Sequence, residues 1–128
     1  KKYASSILLL VVVAAFMLGF AGCQNILPDK LLANQHLIKA NSFYAEEKYK
    51  LAVDEYEMAL KLNPNLKSLY LYLGTSYSAL YKPGKEDERN KQYGDKAVEY
   101  LLKAREAFPE KDDIIYALGD IYEKMSSI

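Results

Sequence analysis

One cysteine, one histidine and no tryptophan among 128 residues remove most catalytic and metal chemistry at the outset. A lone cysteine closes no disulfide within the chain and cannot supply the paired Cys-x2-Cys sets of structural zinc sites. His36, the sole imidazole, has no nucleophile and orienting carboxylate placed around it in a triad. No HExxH, EF-hand loop, GxGxxG or Walker A spacing occurs, so no metal ion, cofactor or nucleotide phosphate is expected. An enzyme needs convergent reacting groups, and none is expected here. The charge balance is equally plain, with 17 basic against 17 acidic residues. That leaves no basic surplus for nucleic acid and no polybasic strip for anionic lipid. The acidic runs Glu46-Glu47 and Glu86-Asp87-Glu88 read as solvated faces. Strict apolar–polar alternation of β-branched residues is missing too, which argues against strands.

What is present begins with a distinctive front end. Lys1 and Lys2 precede an apolar run from Ile7 to Phe20, followed by Ala21-Gly22-Cys23. A basic start, an apolar stretch of 14 residues and small residues at its close describe a secretory signal peptide. The stretch is shorter than the ~20 residues that span a bilayer. Phe20-Ala21-Gly22-Cys23 resembles the bacterial lipobox, with Phe20 where leucine is usual. That resemblance implies cleavage after residue 22 and lipidation of Cys23 by palmitate-type acyl chains. Two or more chains would hold the protein firmly, since one chain gives only marginal binding. Gln24 is not the aspartate that in many Gram-negative lipoproteins marks inner-membrane retention. The implied location is the bacterial cell envelope, on the outer membrane facing the periplasm if the source is Gram-negative. Residues 23–33 are then a short tether, and the mature chain, having lost two lysines, carries 15 basic against 17 acidic residues, a net charge of −2.

From Leu31 onward apolar residues recur at helical spacing. Five helices are expected, near 31–46, 49–62, 66–81, 93–107 and 112–126. Tyr70-x2-Leu73-Gly74-x2-Tyr77 returns 45 residues later as Ile115-x2-Leu118-Gly119-x2-Tyr122. A fainter copy, His36-x2-Lys39-Ala40-x2-Phe43, lies 34 residues upstream of the first. Between them fall Ala52-x3-Tyr56, Ala59 and Pro64, and then Ala97-x3-Leu101, Ala104 and Pro109, again 45 residues apart. A period of 34 with these residues marks stacked helix-turn-helix units. One insertion of 11 residues accounts for the longer spacing, and it falls at about 82–95 around the turn dipeptide Pro83-Gly84.

On these residues the chain resembles the tetratricopeptide repeat family over 34–128. The resemblance implies an all-α solenoid of about two and a half repeats, preceded by the signal peptide. Gly74 in a helix interior costs ~1 kcal/mol relative to alanine, so a close helix contact must offset it. Tyr56 and Tyr77 take core positions, which assigns tyrosine enrichment chiefly to packing. His36 stands where the family has a large packing residue. Helix 112–126 repeats the first-helix pattern without a second helix after it, and the chain is expected to be a fragment of a longer array.

In the family the first helix of each unit lines a concave groove. Residues three and four apart share a helix face, so Leu37, Asn41 and Tyr44, then Leu71, Thr75 and Ser78, then Tyr116, Asp120 and Glu123 are the expected groove residues. The surface is mixed, apolar at one edge and acidic at the other. Some members clamp acidic chain ends with Lys, Asn and Arg. Asn41 matches one clamp position, whereas Leu37, Asp113 and Ala117 replace basic residues. The family implies a protein partner, and among lipoproteins a scaffold for outer-membrane protein insertion, pilus assembly or cell-wall synthesis. A membrane-tethered spacer, or a repeat that self-associates without a dedicated ligand, is the other reading.

Overall fold

The computed structural model describes residues 27–127, so the signal segment, Cys23 and Ile128 lie outside the described residues. Five helices follow one another: α1 (Leu27–Ala45), α2 (Tyr49–Leu62), α3 (Leu69–Leu80), α4 (Glu88–Ala107) and α5 (Asp112–Ser126). α1 pairs with α2 and α3 with α4 as two hairpins, α2 packs on α3, α4 on α5, and α3 reaches α5. This all-helical, next-neighbour stacking is that of a tetratricopeptide-like solenoid. No helix among the described residues is long and apolar enough to cross a membrane.

The small residues of the repeat carry the packing. Ala40, Ala52, Ala59, Ala97 and Ala104 are all without solvent exposure, as are Tyr56 and Leu101. A Cβ built on Gly74 would stand 2.5 Å from Leu101 Cγ and 3.1 Å from the Leu101 backbone nitrogen. Contacts under 3 Å are steric overlap, so α3 and α4 approach this closely only because residue 74 has no side chain. That contact is the benefit which offsets the helix-propensity cost of glycine.

Helix ends follow local chemistry, with three departures from the sequence reading. α1 starts at Leu27, so the tether assigned to 23–33 is helical over its last seven residues. Pro28 is tolerated because a first-turn residue needs no intrahelical N–H bond. α3 starts at Leu69, not 66; residues 66–68 form a turn in which the Leu69 N–H donates to the Leu66 carbonyl at 3.0 Å. α4 starts at Glu88, not 93, and at 20 residues against 14 in α2 it takes up six of the eleven inserted residues, with most of the rest widening the loop before it. Pro83-Gly84 forms the expected turn: Gly84 has φ 75°, and the Lys85 N–H donates to the Lys82 carbonyl at 3.2 Å. α2 and α4 stop one residue ahead of Asn63-Pro64 and Phe108-Pro109, as X-Pro geometry requires.

The two hairpin turns are built differently. After α1 the Lys48 N–H donates to the Phe43 carbonyl at 2.8 Å and the Glu47 N–H to the Tyr44 carbonyl at 3.0 Å. That pair of bonds is a Schellman closure, which needs a left-handed residue, and here Glu47 supplies it at φ 58°. Before α4, the Asp87 carboxylate caps the helix by accepting from the Asn90 N–H at 2.9 Å. The Asn90 side chain, 3% exposed, turns back into the loop. Its amide donates to the Lys82 and Lys85 carbonyls, both at 2.7 Å, and its carbonyl accepts from the Lys82 N–H at 2.7 Å.

Candidate functional site

The residues expected to line the groove fall on α1, α3 and α5, and cross-helix bonds join them into one face. Thr75 donates its hydroxyl to the Leu71 carbonyl of its own helix at 2.9 Å. Its oxygen then accepts from the Tyr44 hydroxyl at 3.3 Å, which ties α1 to α3. Asn41, exposed, accepts from the Tyr56 hydroxyl at 2.8 Å. Ser78 donates to the Asp120 carboxylate at 3.2 Å, which ties α3 to α5. Leu37, Tyr44 and Leu71 are half-buried against the core.

Between α3 and α5 this face opens into a cleft of about 340 Å³, lined by Thr75, Ser78, Ala79, Tyr116, Ala117, Asp120 and Lys124. Four of the nine expected groove residues are therefore at one cleft. Tyr116, 76% exposed, is the most accessible large apolar side chain of the described residues. Glu123 is exposed and does not line it; Lys124 does. Lys124 bonds Asp120 at 2.7 Å and donates to the Ser78 hydroxyl at 3.3 Å. The edge expected to be acidic is thus a balanced Ser78–Asp120–Lys124 cluster: Tyr116 and Asp120 line the cleft as expected, Ala117 and Lys124 join them, and Glu123 lies outside it.

At the other end of the face stands an aromatic wall. Tyr44 meets Tyr49, Tyr56 and Tyr72 edge-on, with centroids 5.6, 6.4 and 5.5 Å away. Tyr56 and Tyr72 stack at 5.8 Å, and Tyr72 keeps part of its ring in solvent. Such edge-to-face and offset pairs each add ~1 kcal/mol beyond area burial. Burial raises the Tyr56 phenol above its ordinary range, with the Tyr72 and Tyr44 phenols adding to it. The wall is a stiff, neutral surface with hydroxyls at its rim.

A second tyrosine cluster lies where α2, α3 and α4 meet and is structural. Glu57 accepts from Tyr77 at 2.6 Å, Lys96 at 3.2 Å and Tyr100 at 3.4 Å, which links α2, α3 and α4. Burial pushes the Tyr100 phenol up to about 12, and the Glu57 charge adds to the shift. Tyr77 is raised by burial first and by its bond to Glu57 second. His36 likewise belongs to packing: its Nδ1 lies 2.6 Å from a Glu55 carboxylate oxygen, between α1 and α2. Among the described residues no group of three or more His, Cys, Asp or Glu could hold a metal ion.

Asn90 and Lys124 are the two residues that sequence reasoning missed. Asn90 lies in a run of charged residues and carries no periodic signal. Lys124 could have been found by noting its i, i+4 spacing to Asp120.

No family model matches the chain. Over 42 residues it is 40% identical to the Hsp70-Hsp90 organising protein of Plasmodium falciparum (isolate 3D7). The match covers 33% of this chain and 7% of that protein, so the chain spans a small fraction of that relative's length. This likeness and the five-helix architecture agree on tetratricopeptide-like helical repeats, a class of fold that receives protein partners.

Proposed function

We propose that the chain is a lipid-anchored adaptor of the bacterial cell envelope, whose concave face takes a segment of a partner protein during assembly of an envelope complex. The observation that supports this most is the continuity of the face: α1, α3 and α5 are bonded through Tyr44–Thr75 and Ser78–Asp120, with Tyr116 standing free above the cleft. A rigid apolar wall beside a small polar cluster suits an extended or helical segment with apolar anchors. The organising protein's name concerns Hsp70 and Hsp90. Of the clamp positions for acidic chain ends only Asn41 is kept here, so a chaperone tail is not the partner class we assign. Anchoring at Cys23 would concentrate the adaptor beside membrane-bound partners.

Two experiments test the parts separately. A photo-crosslinking residue at 116, compared with one at the outward-facing 102, should trap one recurrent protein from envelope preparations at 116 only. Equal capture at both positions would overturn the groove. Metabolic labelling with an alkyne fatty acid should mark the chain and fail with Cys23→Ala; unlabelled wild-type protein would end the anchor assignment. A tethered spacer that binds only itself is the competing reading, and it would yield only self-crosslinks at 116.

A further inference from the structure

α1 is apolar on two sides. Its inward side buries Ala33 and Ala40 and packs Leu37 and Tyr44 against the core. On the opposite side Leu31 and Ile38 are 63% and 62% exposed. Seven helical residues complete nearly two turns, so these two side chains point the same way to within about 20°. The sector they share, about 120° wide, also holds Asn34, Gln35, Ser42 and Ala45, all exposed, and no charged residue. Lys30 and Lys39 stand about a quarter turn to either side of its centre. Glu46, just past the helix end, is paired with Lys48 at 2.6 Å. The outward sides of α2 and α4 are built otherwise, with Lys50, Asp54 and Lys61 on one and Asp95, Glu99 and Glu106 on the other.

What lies against this side of α1 follows from the sequence ahead of it. Only Gln24, Asn25 and Ile26 separate Cys23 from Leu27, and the apolar run from Ile7 to Phe20 comes directly before. Three residues hold no helix-turn-helix unit of ~34 residues. At ~3.5 Å per residue they keep the first turn of α1 within about 14 Å of an acylated Cys23. A helix tied so close to a bilayer meets it along the side that carries aliphatic residues and no charge. Lysines at both edges suit that placement, because their stems lie along apolar surface while their ammonium groups stay in water. Leu31, Ile38 and, near one edge, Leu32 at 43% exposure offer too little apolar area to bind lipid from solution. The anchor makes the contact intramolecular and so removes that requirement.

We propose that the Leu31–Ile38 side of α1 lies in the interface of the bilayer that holds Cys23, with the helix axis parallel to the membrane plane. The inference rests on the anchor at Cys23 proposed above. It also sets the direction of the concave face. Leu37 and Tyr44 are about a third of a turn round α1 from Leu31 and Ile38. The groove therefore stays clear of lipid and opens along the membrane surface, toward partners held in the same bilayer.

The chain has no tryptophan, so one substitution installs a single reporter. Leu31→Trp, Ile38→Trp and, on α4, Leu102→Trp are expressed in a bacterial host, purified from its envelope and reconstituted in vesicles of uncharged phosphatidylcholine. Each should keep the parent helicity, since the three positions are exposed. The mass of the N-terminal peptide and flotation with the vesicles report the anchor; tryptophan emission reports the side of α1. When the acyl chains are brominated, the reporters at 31 and 38 should lose roughly half of their emission or more, and the reporter at 102 should keep it. Adding Ile38→Asp to the Leu31→Trp chain should abolish the quenching while the chain still floats. Full emission at 31 and 38 from a floating chain overturns the proposal and leaves the anchor standing. Quenching at 31 alone, which means that α1 stands upright, overturns it too. Full emission together with an N-terminal mass that retains residues 7–20 would assign this side of α1 to that segment instead. A chain that does not float ends the anchor reading. Its sole cysteine, Cys23, is then coupled to a maleimide phospholipid in the same vesicles, where quenching at both positions upholds the lipid-facing side and its absence overturns it.

Discussion

The α1/α2 and α3/α4 hairpins solve one packing problem with different residues. In the first, Ala40 and Tyr56 are both wholly buried in the core, His36 meets Glu55 at 2.6 Å, and a three-residue turn closes the pair. In the second, Gly74 faces Leu101, Tyr70 stacks on Tyr100, and a seven-residue loop bolted by Asn90 closes the pair. What the two hairpins share is a small buried residue on the first helix and a large, wholly buried one on the second; the volume of the pair differs, since Gly74 and Leu101 are both smaller than Ala40 and Tyr56. The turn is free to vary so long as its backbone polar groups are satisfied.

The comparison breaks most visibly at Gly74. Gly74→Val should destabilise the chain by about 3 kcal/mol, because Leu101 is wholly buried and the β-branched side chain has no room beside it. Gly119→Val, at the matching but open position, should stay within about 0.5 kcal/mol of the parent. Urea unfolding of both variants checks this, and equal losses would show that the α3/α4 contact is not the cause.

Asn90→Ala comes next. It removes three bonds of a buried amide and leaves the Lys82 N–H without its partner, which should cost about 2–3 kcal/mol. Amide exchange should quicken over residues 81–90 and stay unchanged in the α1/α2 turn. The first hairpin offers the opposite change. Glu47→Gly relieves a left-handed conformation that costs a side-chain-bearing residue ~1–2 kcal/mol, partly offset by the freer unfolded chain, for a net gain of about 0.5–1 kcal/mol. A lower urea midpoint would contradict that reading.

The smallest effect appears only in alkali. Tyr100 in the folded chain titrates near 12, against an ordinary value of 10, and Tyr77 is raised as well. A folded pKa above the unfolded one means stability that is complete below pH 10 and lost as pH rises from 10 toward 12. The urea midpoint should therefore fall between pH 9 and 11.5, and the fall should shrink in Tyr100→Phe. A midpoint independent of pH over that range would remove the Glu57-linked tyrosines from the account.

Much of this was legible in the sequence because the repeat writes its contacts as residue size. Ala52, Ala59, Ala97 and Ala104 announce buried helix contacts at fixed spacing, and Pro64 and Pro109 announce where helices stop. Thr75, Ser78, Tyr116 and Asp120 could be placed on one face by adding threes and fours. The departures share a physical origin in contacts that cross between segments. The burial of Asn90 depends on carbonyls eight and five residues away, on a loop whose path no periodicity encodes. Lys124 replaces Glu123 at the cleft because helix rotation about its axis is set by packing on α4. Glu47 gives no hint of a left-handed backbone, since glutamate is not a residue that favours it.

Next-neighbour stacking also determines how the molecule comes apart. Each helix packs chiefly on those beside it, so loss of order spreads along the stack as a zipper opens. α5 has α4 on one side and the edge of α3 for support, with Gly119, Ile115 and Tyr122 bare. Among the described helices it is the one whose opening disturbs least, and its amides should exchange by a partial unfolding that leaves α1–α4 intact. Opening of α5 is thereby kept from reaching the hairpin that Gly74 and Leu101 lock.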